Sequence, residues 1–134
     1  FGVVPRTRAD AVTGVDRQCG MGQAQICAPG LVTATFIGRQ LLDTGAAVVF
    51  ATNTPVHPDR PFRDDQWSWR NDEIDAYNAA ARDVMTELGV PLNDLHALIG
   101  ADPDALLSDD QLHLSEAGQK ICAAAVATAV RARF

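Results

Sequence analysis

One run of apolar residues constrains the fold of this chain more than any other feature. Residues 46–50 read Ala-Ala-Val-Val-Phe, and the run continues through Ala51 to the polar Thr52. Such a continuous run is typical of a strand that is buried on both faces, as in a parallel sheet covered by helices. Apolar residues at helical spacing precede it over residues 31–42 and follow it over residues 74–88. The sequence therefore predicts an α/β fold.

The later segments extend the same alternation. Residues 90–94 are predicted to form a second short strand and residues 95–99 a short helical turn. Asn71 is expected to cap the second long helix, and Ser115 is expected to cap a last helix that ends at Arg131. The order helix, strand, helix, strand, helix is typical of a layered fold with parallel strands.

The first 30 residues lack a sustained period and contain several Gly and Pro. We expect an irregular loop over residues 1–30, ahead of the layered part in residues 31–134. The length of 134 residues suits a single domain over residues 1–134. The chain opens on Phe1, without the basic and apolar segments of a signal peptide, which indicates a processed or trimmed product.

Composition and charge exclude several classes of protein. A hydrophobic content of 47% with 21% charged residues is not that of a wholly disordered chain. The formal net charge of −6 argues against a nucleic-acid binder, which would carry a basic face. No run of about 18 apolar residues occurs, so we expect no membrane-spanning segment.

The three cysteines leave two interpretations open. Cys19 and Cys27 lie in a Gly- and Gln-rich segment, where a disulfide would close a loop and stabilise the fold by about 2–3 kcal/mol. Two free thiols in a reduced protein are the alternative. Cys122 lies in an Ala-rich helical stretch and is expected to be a small buried side chain. The Cys and His spacings do not suggest zinc, and the acidic residues 102–110 lack calcium-loop spacing, so we expect no metal and no other cofactor.

The sharpest local motif is D-x-x-H at Asp110 and His113. An Asp three residues before a His on a loop can place its carboxylate beside the imidazole Nδ1. The carboxylate then fixes the tautomer and leaves Nε2 free as a general base. The alternative for so short a motif is a surface acid and an exposed His before a helix.

The surroundings of this pair resemble the carboxyl-terminal half of the GDSL/SGNH hydrolases. The shared features are a strand that ends at Asp94-Leu95, the D-x-x-H-L-[ST] motif, a following glycine at Gly118 and an apolar last helix. Upstream, a helix and a buried strand that ends in T-x-T-P at residues 52–55 precede a tryptophan-bearing loop, as in that family. The resemblance covers residues 31–130.

Within the family, the Cys-bearing loop makes the chain most similar to the rhamnogalacturonan acetylesterase-like branch. The resemblance implies a three-layer, flavodoxin-like parallel sheet with flanking helices, here lacking the family's first strands. It also implies that His113 is the general base of a serine acyl transfer and that Asp110 orients it. The implied substrate is a small-molecule or carbohydrate ester, and the implied location is secreted or otherwise outside the cytoplasm.

The chain departs from that family at the nucleophile. The family's Gly-Asp-Ser triplet is absent, and so is its Gly-x-Asn-Asp block, of which Phe1-Gly2 matches only the start. The three serines of the chain are Ser68, Ser108 and Ser115. Ser108 and Ser115 are expected at turn or cap positions, and Ser68 lies in a loop from which it can approach the site. Neither the nucleophile nor the oxyanion donors have matching positions.

Other polar and aromatic residues are weaker candidates for a site. The faces of Trp67 and Trp69 can stack on a sugar ring, or the two side chains can cover an edge of the core. His57, between prolines, is expected to be a solvated loop residue. His96 is expected to cap or to pack, and a role in the site is the alternative.

Two functions from different classes follow. The first is an ester hydrolase of the GDSL/SGNH type that acts on acetylated carbohydrate. The second is a non-catalytic, truncated or remodelled hydrolase domain that binds a glycan or a protein through the Trp67/Trp69 loop. A third possibility is that the chain is part of a longer product that carries Gly-Asp-Ser upstream. A sheet of two strands leaves an exposed edge, and a homo-oligomer is one way to cover it.

Overall fold

The computed structural model describes residues 24–60 and 70–133, with side-chain surroundings from Val32 onward. Its helices and strands are α1 (Ala24–Asp43), β1 (Phe50–Ala51), α2 (Asn71–Glu87), β2 (Leu92–Asn93), α3 (Leu95–Gly100), α4 (Pro103–Leu106) and α5 (Glu116–Arg131). The strands β1 and β2 pair in parallel, with Phe50 opposite Leu92 and Ala51 opposite Asn93. Helices around a small parallel sheet confirm the α/β class.

The first helix is longer than the sequence pattern predicts. It begins at Ala24 instead of Leu31, so residues 24–30 of the expected irregular loop are helical. Pro29 and Gly30 gave the appearance of a helix break. A proline removes one main-chain hydrogen bond and a glycine lowers helix propensity, and α1 contains both. The rest of the expected loop, residues 1–23, lies outside the described residues.

The apolar run forms a shorter and less buried strand than expected. Ala46, Ala47 and Ala51 are exposed, and residues 48–50 are half-buried. The alternate residues Val48 and Phe50 pack against the core between α1 and α2, whereas the opposite face of the strand lacks such cover in the part of the chain that is described. Burial on both faces was therefore the wrong prediction for this segment.

The described core has two parts. The first consists of Val84, Met85 and Val90, against which α1, β1 and α2 pack. The second consists of Ile99, Leu106, Leu107 and Cys122, which join α3 and α4 to α5. Cys122 is buried as predicted, and this burial raises the pKa of its thiol. The thiol is therefore a packing group in the second core.

An apolar groove of about 480 Å³ lies between α1 and β1. Ile37 and Leu41 line it from the helix, and Val48, Val49 and Phe50 line it from the other side. Ile37 and Leu41 are half-exposed, which is unusual for large apolar side chains on one face of a helix.

Helix ends follow the sequence signals in most places. Gly45 and Gly89 adopt positive φ angles of 78° and 67° just after α1 and α2, as expected for glycine stops. Ser115 caps α5 as predicted, because its hydroxyl accepts the Gly118 N–H at 3.1 Å. The predicted Asn71 cap is wrong, since Asn71 is the first residue of α2 and Arg70 occupies the cap position.

The helix α4 lies in the acidic stretch of residues 102–110, where the sequence pattern predicts no helix. Pro103 is its first residue, and the Asp102 carboxylate accepts the Ala105 N–H at 3.3 Å. An Asp followed by Pro is a known start signal for a helix, so the sequence did contain this information. Among the described residues, no helix combines the length and the apolar character that crossing a membrane requires.

Candidate active site

The Asp110–His113 pair lies on a loop that is closed at its neck. Leu107 and Leu114 form an antiparallel bridge, and the Ser115 N–H donates to the Leu106 carbonyl at 3.0 Å. Inside the neck, the Ser108 N–H donates to the His113 carbonyl at 2.7 Å. Leu106 and Leu107 are buried in the second core. The six residues 108–113, here named the site loop, therefore stand on a fixed base.

Within the site loop, Asp110 contacts the histidine as the sequence predicts. Its Oδ2 lies 2.5 Å from Nδ1 of His113. Its Oδ1 accepts the N–H groups of Leu112 at 3.0 Å and His113 at 2.8 Å, and the Ser108 hydroxyl at 2.7 Å. The carboxylate is thus fixed from four directions and holds the imidazole by one nitrogen.

These hydrogen bonds keep Asp110 charged. The hydrogen bond from His113, then the two main-chain N–H groups and the Ser108 hydroxyl, hold the pKa of the Asp110 carboxyl far below its ordinary value. An ionised Asp110 accepts the Nδ1 proton of His113, so Nε2 is the nitrogen left to receive another proton. The His113 side chain is 76% exposed, which leaves the ring open to a substrate.

The conformation of the site loop depends on Gln111. Its φ angle of 67° is the only positive value among the non-glycine residues that the structure describes. This conformation directs the Gln111 carbonyl to the main-chain N–H of His57 at 3.0 Å, while its own N–H donates to the Ser108 carbonyl at 2.9 Å. Left-handed backbone is costly for a residue with a Cβ and persists where surrounding contacts enforce it.

The serines within the described residues serve structural roles. The Ser108 hydroxyl donates to Asp110, and the Ser115 hydroxyl donates to the Ala105 carbonyl at 2.8 Å while capping α5. These are the turn and cap positions that the sequence predicted for both. Neither hydroxyl is hydrogen-bonded to His113, so neither occupies the position of an activated nucleophile.

The segment that follows β1 runs beside this region and is held by three polar side chains. The Thr52 hydroxyl donates to Asp94 at 3.0 Å. Asn78 bonds both the N–H and the carbonyl of Asn53, at 2.9 and 3.0 Å, and Asn71 bonds both main-chain groups of Val56 at 2.9 Å. Each amide therefore bonds the N–H and the carbonyl of one residue, as a neighbouring β-strand would.

These amides were missed as structural residues by sequence reasoning. Asn71 is predicted as a helix cap, and the sequence pattern assigns Asn78 no contact of its own. The signal was weak, because an Asn on a helix reveals nothing about a main-chain partner 15 or 25 positions away. Both side chains are committed to the segment after β1.

His57 is buried, which contradicts its predicted place in a solvated loop. Its side chain is 4% exposed, and Nε2 lies 3.2 Å from an oxygen of Asp104. Neighbouring prolines suggested an exposed turn, but α4 and the site loop cover this position. His96 packs as expected: its Nε2 is buried 3.2 Å from Asp75, at an angle that makes no hydrogen bond.

Several predicted site residues lie outside the described residues. They are Trp67 and Trp69, the alternative nucleophile Ser68, Cys19, and the side chain of Cys27. The proposed sugar platform and the proposed disulfide therefore stay predictions. Among the described residues, the His, Cys, Asp and Glu side chains form no cluster that would hold a metal ion.

Comparison with known proteins gives one family. The sequence model of the GDSL-like Lipase/Acylhydrolase family matches residues 10–121, which include the site loop, both strands and most of the helices. No curated protein and no solved structure matches the chain.

Proposed function

Because the chain belongs to the GDSL-like lipase/acylhydrolase family, we propose that it is an ester hydrolase with His113 as its general base. Family membership supports ester hydrolysis in general. The observation that carries the assignment of the base is the 2.5 Å contact between Asp110 Oδ2 and His113 Nδ1. This contact orients the ring, stabilises the imidazolium and leaves Nε2 for proton transfer.

In the proposed mechanism, His113 Nε2 removes the proton from a serine hydroxyl, and the serine oxygen attacks the ester carbonyl. The tetrahedral intermediate collapses, the alcohol leaves with the proton from His113, and the serine is acylated. Water, activated by the same imidazole, then releases the acid and restores the serine. The described serines are committed elsewhere, so we assign the nucleophile to a serine outside the described residues.

We propose acetylated carbohydrate as the substrate class and a three-layer SGNH-type sheet as the complete architecture. The support is the parallel β1–β2 pair and the likeness to the rhamnogalacturonan acetylesterase-like branch. Trp67 and Trp69 would stack on the sugar, since flat aromatic faces suit the apolar face of a pyranose. The same proposal includes secretion and a homo-oligomer that covers the edge of β1. It also includes the absence of nucleic-acid and membrane partners.

The test of the hydrolase is p-nitrophenyl acetate hydrolysis by the full gene product and by its His113→Ala variant. We expect the variant to lose most of the activity, because the members of such a group act as a unit. Equal rates for the two proteins would contradict the proposal. Labelling with a fluorophosphonate, followed by peptide mass spectrometry, identifies the serine. A label on Ser108 or Ser115 would contradict the assigned roles of both residues.

Both described serines make structural hydrogen bonds, and this also favours a second function. That function is a non-catalytic domain that binds glycan through Trp67 and Trp69. Titration with acetylated oligosaccharides, followed by tryptophan fluorescence, tests it. Saturable quenching in a protein without esterase activity would support glycan binding. No change across a panel of glycans would rule it out.

A further inference from the structure

His57 is a buried imidazole that the proposed mechanism leaves unused. It lies in the segment after β1, with a side chain that is only 4% exposed. Buried polar rings are retained in a fold when their nitrogens find partners, and both nitrogens of His57 do so. The partners show how this residue is held.

The two ring nitrogens have opposite hydrogen-bonding roles. The main-chain N–H groups of Asp59 and Arg60 point at Nδ1, at 3.2 and 3.1 Å, so Nδ1 is an acceptor and carries no proton. Nε2 lies 3.2 Å from Asp104 Oδ1 and is therefore the donor. A neutral Nε2–H tautomer satisfies all three contacts with a single proton.

Two oppositely charged side chains, Asp104 and Arg60, lie on the Nε2 side of this ring. Asp104, on α4, also pairs with the Arg60 guanidinium at 2.5 Å, and both of these side chains are more than half exposed. The buried imidazole thus joins the turn at residues 57–60, which is exposed beyond His57, to a carboxylate on α4. The next residue on the other side, Val56, is fixed by both groups of the Asn71 amide.

The main chain of His57 reaches the site loop. Its N–H donates to the Gln111 carbonyl at 3.0 Å, and Gln111 is the residue in left-handed conformation between Asp110 and His113. A hydrogen bond of this kind holds an unfavourable φ angle only if its donor is itself immobile. The ring contacts of His57 make that donor immobile.

We propose that His57 is a positioning residue for the active site, in which the buried ring fixes the main-chain N–H that holds Gln111 and thereby the Asp110–His113 geometry. The role rests on the proposed hydrolase function, but its first consequence is structural. Loss of the ring contacts frees the 57–60 turn, Gln111 relaxes, and the short contact between Asp110 and His113 lengthens. The effect on catalysis follows because proton transfer depends steeply on this geometry.

The test uses two variants that separate the ring contacts. His57→Ala removes all of them, whereas His57→Asn keeps an acceptor for the turn and loses the donor to Asp104. His96→Gln is the matched control, because it alters another packed imidazole that does not contact the site loop. Thermal unfolding shows which variants fold, and if His57→Ala does not, Asp104→Ala releases the ring from its exposed partner.

The first readout is the imidazole ¹H–¹⁵N spectrum, which the small number of histidines makes simple to assign. We expect the His113 Nδ1–H signal to move upfield or to broaden in His57→Ala, to move less in His57→Asn, and to be unchanged in His96→Gln. The second readout is esterase kinetics. We expect kcat to fall about tenfold or more in His57→Ala with KM little changed.

The outcomes separate this proposal from the proposed function. Unchanged His113 signals and unchanged kcat in folded His57→Ala and Asp104→Ala would overturn the positioning role and leave the hydrolase standing. If the His113 signals shift in His57→Ala but the wild-type protein has no esterase activity, the positioning role is supported and the hydrolase is contradicted. Equal shifts in His96→Gln would also overturn the proposal, since the change would then reflect general loosening.

Discussion

At the scale of single residues, Asp110 links the chemistry of the site to the conformation of its loop. One oxygen faces His113, and the other accepts two main-chain N–H groups and the Ser108 hydroxyl. The low pKa of this carboxyl follows from the same hydrogen bonds. The residue that we propose to orient the base therefore also shapes the turn that carries His113.

Replacement of Asp110 by Asn separates charge from shape. The Asn amide can keep the contacts of Oδ1, but its NH₂ would face Nδ1 of His113 and favour the wrong tautomer. We expect kcat for p-nitrophenyl acetate to fall by roughly 10³- to 10⁴-fold with little change in unfolding temperature. Asp109→Asn, which changes the exposed neighbour, is the control and should keep its activity. Similar rates for the two variants would contradict the role of Asp110.

Replacement of each described serine by alanine should affect stability and kcat differently. Ser115→Ala removes the cap of α5 and is expected to lower the free energy of unfolding by about 1 kcal/mol in urea denaturation, without loss of kcat. Ser108→Ala removes one hydrogen bond to Asp110 and is expected to lower kcat a few-fold with a smaller change in stability. Complete loss of activity in either variant would indicate a nucleophile and contradict both roles.

At the scale of helices and strands, the sequence predicted elements better than it predicted their surroundings. The glycine stops after α1 and α2, the Ser115 cap and the D-x-x-H pair are local signals, and the structure has all of them. The burial of His57 and the commitment of Asn71 and Asn78 arise from contacts between distant segments. Periodicity and capping rules contain no information on such contacts, so the contacts around the site loop could not be predicted.

The junction of α5 with the neck of the site loop depends on Gly118. A Cβ at this position would lie 2.2 Å from the Leu106 carbonyl oxygen, which belongs to main chain and cannot move aside without disturbing the neck. We expect Gly118→Ala to lower the free energy of unfolding by about 2–3 kcal/mol and to reduce esterase activity through the site loop.

The control for this glycine is Gly45→Ala. A Cβ at Gly45 meets no atom within 4 Å, but the φ angle of 78° is unfavourable for alanine. Its expected cost is about 1–2 kcal/mol, without an effect on kcat. Urea denaturation and the esterase assay measure both variants. A Gly118→Ala protein as stable and active as the wild type would show that the close approach of α5 to the neck is not required.

At the scale of the whole molecule, one carboxylate joins the two parts of the core. Asp94 follows β2 and accepts the Thr52 hydroxyl at 3.0 Å from the end of β1. It also accepts the Ala97 N–H at 3.2 Å in α3 and pairs with Arg82 of α2 at 2.5 Å. Four elements therefore meet at a side chain that the sequence presented only as the end of a strand.

The charge on Asp94 should make the stability of the molecule depend on pH. Partial burial alone raises the pKa of this carboxyl, but the hydrogen bonds from Arg82, Ala97 and Thr52 outweigh burial and bring it below its ordinary value. A pKa that is lower in the folded state stabilises the fold above the unfolded-state value of about 4, and this stability is lost as pH falls through the native value. The free energy of unfolding should therefore decline from about pH 4 downward.

Asp94→Asn tests this dependence, because Asn can keep the α3 cap and the contact with Thr52 while it loses the ion pair with Arg82. We expect the variant to be less stable at pH 7 by about 1 kcal/mol or less, since solvent screens a pair whose side chains are more than a third exposed. The difference from wild type should begin to shrink as the pH falls below about 4, where the unfolded wild-type chain takes up a proton on Asp94. It should vanish once the pH falls through the lower native pKa, where the folded carboxylate is protonated as well. Asp83→Asn, an exposed carboxylate beside Arg82 in α2, is the control. Urea denaturation between pH 3 and pH 7 measures all three proteins, and a constant difference between Asp94→Asn and wild type would show that the charge on Asp94 does not join these elements.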